Sequence, residues 1–127
     1  MSLGYLTEAA ADTLQDGGAM PSVFYAQQHT AAPGPTFDDN IGTDTRRIGP
    51  LSFAASVAGA RVNSNAEGLT GAPADDDLVY LTLWDDDTAG ACWWVVPLDG
   101  APVAVIAGQD VGVDAGDITL ALDIWAD

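Results

Sequence analysis

The chain has 127 residues, with no lysine, three arginines and 19 acids, giving a formal net charge of −16. So acidic a surface excludes nucleic acid and anionic membrane as partners, because both are bound through cationic side chains. An apolar fraction of 48% excludes wholesale disorder, and the single cysteine, Cys92, excludes an internal disulfide.

The length suits one domain over residues 1–127, large enough to bury a core without staples. No apolar run is long enough for a spanning helix, and MSLGYLTEAAAD lacks the blocks of a signal peptide. The expectation is a soluble protein made in the cytoplasm. Its charge repels itself unless salt screens it, which points to a high-salt host. A GC-rich genome is the alternative; it explains the missing lysine better than the scarce arginine.

In chain order, residues 5–16 (YLTEAAADTLQD) read as a helix. Leu6, Ala10 and Leu14 form one apolar stripe, Glu8 falls in the first turn, and Gly17-Gly18 stops it. A first strand covers Ser22–Gln28. From His29 to Pro50 runs a long proline-bearing connection with Arg46-Arg47 near its end, of the kind usually given to function or to a partner. Leu51–Val57 alternates, with Leu51, Phe53, Ala55 and Val57 inward. Gly59–Asp77 reads mostly as loop, with a short strand near Arg61–Val62.

The stretch Leu78–Leu98 (LVYLTLWDDDTAGACWWVVPL) is the centre. Two strands, Leu78–Trp84 and Ala91–Pro97, flank an acidic turn, and both are apolar on both faces. Such a hairpin belongs in the middle of a sheet, covered on two sides. Strands over Val103–Ala107, Asp110–Val113 and Ile118–Ile124 follow, the last placing Ile118, Leu120, Leu122 and Ile124 on one inward face. The predicted fold is mainly β: an antiparallel β-sandwich or flattened barrel of six to seven strands with one short N-terminal helix.

Chemistry is sparse. One histidine, His29, next to a proline-rich loop and with no nucleophile elbow, supports no catalytic set, and His29 with Cys92 is too little for zinc. No phosphate loop is present and no cofactor is implied. Asp75-Asp76-Asp77 and Asp85-Asp86-Asp87 make Asp75, Asp77, Asp85 and Asp87 weak calcium candidates. The two clusters bracket a seven-residue strand and so stand about 23 Å apart, too far to share one ion. Neither has an EF-hand spacing, and a solvated acidic loop is the plainer account. Arg46 and Arg47 are candidates for docking on an acidic neighbouring subunit; the alternative is an ion pair within the chain, to Asp38, Asp39 or Asp44. In the docking reading, replacing both by alanine leaves the isolated fold intact.

The order of YLTEAAADTLQDGG, SVFYAQQHT, LSFAASVAGARVNSN, LVYLTLWDDDTAGACWWVVPL and VIAGQDVGVDAGDITLALD resembles a family of small virion proteins of tailed phages, some labelled tail-fibre and some head-associated. The chain departs from that family in being more acidic and richer in tryptophan. The resemblance implies a non-enzymatic structural protein with no catalytic residues, located in the virion. Its implied partners are other virion proteins (a major capsid protein or tail proteins) and its own copies, with a trimer favoured. The expected role is capsid decoration; the alternatives are a tail fibre or baseplate component, and a carbohydrate- or calcium-binding module that uses exposed tryptophans.

Overall fold

A computed structural model of the chain describes residues 2–56 and 59–126. Its main body is a seven-stranded sheet curled into a half-barrel. From one edge the order is β3 (Ile48–Ser52), β2 (Val23–His29), β7 (Tyr80–Trp84), β8 (Cys92–Pro97), β1 (Ser2–Leu6), β11 (Ile118–Ile124) and β4 (Ala60–Val62). Neighbours are antiparallel except β1 and β11, which run parallel. Two ribbons complete the fold, one pairing β5 (Glu67–Leu69) with β10 (Val111–Val113), the other β6 (Asp76–Leu78) with β9 (Val103–Val105). The chain is mainly β, as expected.

The β7–β8 hairpin lies in the middle of the sheet, with Leu81 opposite Val96 and Leu83 opposite Trp94. Alternation splits its neighbourhood into two faces. Leu81, Leu83, Trp94 and Val96 join Phe24, Ala26, Leu6, Ile118 and Leu120 in the apolar core. Val113 of β10 also joins this core, while Ala72, Leu78 and Val105 form a smaller cluster under the ribbons. The other face carries Gln27, His29 and Thr82, all buried although polar.

Several boundaries differ from the expected ones. The helix is shorter: α1 spans Glu8–Gln15, and Tyr5 and Leu6 belong to β1. Thr7 caps α1 by accepting a hydrogen bond from the Ala10 amide (3.2 Å), so the residues before it are free to pair with strands. Gly4 lets β1 lie close to its neighbours, since a Cβ there would stand 2.5 Å from Leu120 Cδ2. The strand expected over Leu51–Val57 begins earlier, as β3, and stops at Ser52, where Ala54, Ala55 and Ser56 are exposed. Small side chains bury too little apolar area to hold the segment on the sheet. Val57 lies outside the described residues. Loop Gly59–Asp77 contains β4, β5 and the start of β6. Leu122 and Ile124, expected inward and covered, are 72% and 55% exposed, at the end of β11 where its pairing with β1 loses regular register between Leu120 and Ile124.

Candidate functional site

Arg46 and Arg47 are the last residues of the connection between β2 and β3, and Arg47 meets Gln27 on the polar face of the sheet. That connection is tied to the chain's own body. The Thr30 amide donates to Asn40 O (2.9 Å), Gly42 to Gln28 O (2.8 Å) and Thr43 to Asp76 Oδ2 (2.8 Å). Asn40 reaches back to Ala32 O (2.8 Å).

Arg46 makes a two-pronged bond to Asp44, Nε to Oδ1 at 2.9 Å and Nη2 to Oδ2 at 2.8 Å, and Nη2 also donates to Thr70 O (3.0 Å). This is the intramolecular pair anticipated for Asp44. The guanidinium's hydrogen bonds hold the Asp44 carboxyl below its ordinary range.

Arg47 has no carboxylate partner of that kind. Its Nη1 donates to two backbone carbonyls of the acidic turn, Asp86 O and Ala89 O, both at 2.7 Å. Its Nε donates to Gln27 Oε1 (3.2 Å), and its guanidinium carbon lies 4.4 Å from the centre of the Trp84 ring. Arg47 therefore clamps the β7–β8 turn to β2. Burial lowers its pKa, and the nearby carboxylates of Asp85, Asp86 and Asp87 act in the opposite direction. The expectation that both arginines are dispensable to the isolated fold is revised for Arg47.

Beside this clamp runs a buried chain of hydrogen bonds. A carbonyl only accepts, so His29 Nδ1 carries the proton it gives to Asp39 O (2.8 Å). Nε2 then accepts from the Thr82 hydroxyl (2.8 Å), and Thr82 Oγ1 accepts from Trp84 Nε1 (2.8 Å). Burial lowers the His29 pKa, so the neutral ring is the folded form. This arrangement joins loop to sheet. Sequence reading missed Gln27, Thr82 and Trp84 as partners; the available signal was polar residues at strand positions where the neighbouring sequence predicts burial.

The carboxylate clusters serve turns. Asp75 Oδ1 accepts from the Ala107 amide (2.8 Å), Asp85 Oδ1 from Ala91 (2.9 Å), and Asp86 Oδ1 from Thr88 (3.1 Å), which holds Asp86 below its ordinary pKa. Asp85 Oδ2 accepts from Trp93 Nε1 (3.3 Å). Among the described residues no three metal-ligating side chains converge, whether at Asp75 and Asp77 or at Asp85 and Asp87. Cys92 is buried, its thiol pushed up to about 12 by that burial. Trp93 and Trp94 are in the core and Trp84 lies against Arg47, which leaves Trp125, packed on Tyr5 and Tyr80, as the remaining tryptophan for a stacking platform.

No curated protein matches the chain. The model of one family, Gp80, described as "Podophage GP4 fiber I protein gp80", matches residues 4–121, nearly the full length, leaving out only the first residues of β1 and the end of β11 among the strands and helix. The chain belongs to this family of phage fibre proteins, and its role is that of a structural virion component.

Proposed function

We propose that the chain is a non-enzymatic component of a tail fibre, and that it acts as one unit assembled with its own copies and other tail proteins. The observation that carries this reading is the match to a fibre family over residues 4–121. That match favours the fibre over capsid decoration, the role first expected from the sequence. The fold is consistent with a static part: its one histidine is buried, and His29, Asp75 and Asp85 hold loops. Synthesis in the host cytoplasm before assembly belongs to the same proposal.

Within that reading, docking through the arginine pair falls to Arg46. Its side chain is 48% exposed and its position beside Thr70 and Gly71 is at the surface, whereas Arg47 serves the turn. The test is gold-labelled antibody against this chain on intact particles. Label along tail appendages is the expected result; label spread over the head overturns the fibre reading. Particles carrying Arg46→Ala should hold fewer copies of the chain than wild type, and equal copy number removes Arg46 from the docking surface.

A further inference from the structure

On the polar face of the sheet, β2 and β7 bring a hydroxyl and a carboxamide together. Gln27 and Thr82 are direct cross-strand partners, and the two residues are 5% and 0% exposed. Residues so paired have Cβ atoms about 4.5–5.5 Å apart, within the reach of a glutamine side chain. His29, two residues further along β2, uses the same face.

The hydrogen bonds around this pair have a direction. Nδ1 of His29 gives its proton to Asp39 O, so Nε2 is the acceptor for the Thr82 hydroxyl at 2.8 Å. Thr82 Oγ1 accepts from Trp84 Nε1 with one lone pair, and its second lone pair is left for attack. A hydroxyl held by a base, itself oriented by a third group, is an activated nucleophile. On β2 the Gln27 carboxamide is held at both ends. Arginine only donates, so Oε1 is the atom that faces Arg47 Nε (3.2 Å), while Nε2 donates to Thr45 O (3.2 Å). A guanidinium on that oxygen polarises the carbonyl and stabilises the oxyanion that addition forms.

We infer that Thr82 and Gln27 join in an ester bond that ties β7 to β2. Thr82 Oγ1 attacks Gln27 Cδ as its proton passes to His29 Nε2, and the carbonyl electron pair moves onto Oε1 beside Arg47. When that pair returns, the Cδ–Nε2 bond breaks. The nitrogen takes the proton from His29 and leaves as ammonia. One O–H and one C–N bond are lost, and one C–O and one N–H bond are gained, with no change of oxidation state. His29 returns neutral, so the event occurs once per chain and is not turnover. Gln27 and Thr45 line a cleft of about 530 Å³, which gives the ammonia a way out. Fixing both groups in one site raises their effective concentration, to about 10⁵–10⁸ M in well-oriented cases. Burial then shields the ester from hydrolysis. The inference stands apart from where in the particle the chain sits.

The test is the intact mass of the purified protein under denaturing conditions, after prolonged incubation at neutral pH, followed by a peptide map. Wild type should be one ammonia lighter than its sequence, with the β2 and β7 peptides joined through Gln27 and Thr82 until hydroxylamine separates them. Thr82→Val should keep its full sequence mass, and His29→Gln should lose ammonia about a hundredfold more slowly. Wild type at its full sequence mass overturns the inference whether or not the variants fold. A loss that maps to other residues, persists in Thr82→Val or runs undiminished in His29→Gln overturns it as well.

Discussion

At Arg47 a cation is held mainly by backbone carbonyls, two of them at 2.7 Å, and by an indole face. Hydrogen bonds to charged groups contribute about 1.5–3 kcal/mol, so Arg47→Ala should destabilise the isolated protein by about 2 kcal/mol in urea titration. Arg46→Ala, which removes a more exposed pair, should cost clearly less; equal effects would mean that the clamp is not formed in solution. None of this was readable beforehand, because the carbonyls of Asp86 and Ala89 leave no signature in a sequence, whereas the Asp44 pair, two residues away, did. His29 gives a second outcome. Its folded pKa lies below the unfolded value of about 6.5, so the unfolded state takes up the proton first. Stability is therefore complete above that pH and declines as pH falls from about 6.5 toward the carboxylate range. Denaturation midpoints measured between those limits should fall for wild type and stay flat for His29→Gln. A flat wild-type profile would show that the ring is not buried neutral.

The strands separate what periodicity can and cannot say. In β11 Leu120 and Leu122 share a face, a strand and a residue type, yet one is in the core and the other in solvent. Leu120→Ala should cost about 2–5 kcal/mol by thermal or chemical denaturation, while Leu122→Ala, measured on dilute protein, should cost almost nothing. Comparable losses would place Leu122 under cover. The central hairpin was legible because Leu81, Leu83, Trp94 and Val96 are apolar at a strict spacing and the turn between the strands is marked by Asp and Gly. The end of the buried stripe was not legible, since alternation assigns a face without saying how far its covering layer reaches. β1 was missed because Gly4 interrupts its pattern and Tyr5-Leu6 also fits a helical stripe. β5 and β6 were missed because three-residue strands containing Gly or Asp look like turns. The hydrogen bonds that tie the arginine loop to Gln28 and Asp76 were not legible either, because they run to a backbone carbonyl and to a residue 33 positions away.

For the whole molecule the dominant quantity is the charge of −16 on a chain of 127 residues. Asp75, Asp85 and Asp86 hold turns, and the repulsion among the acids is left to the solvent to screen. We propose that the protein works in concentrated salt. The Debye length grows from about 3 Å at 1 M to about 30 Å at 0.01 M, so the melting temperature should drop by many degrees over that dilution. An unchanged melting curve would separate the acidity from the host's salinity. The central claim concerns place: the family match assigns a structural virion protein, and we read it as part of the tail fibre. The most direct measurement is quantitative mass spectrometry of heads and tails separated from purified particles. The account predicts that the chain fractionates with the tails, at a copy number far below that of the major shell protein. Recovery with the heads, at a copy number matching the shell lattice, would contradict it.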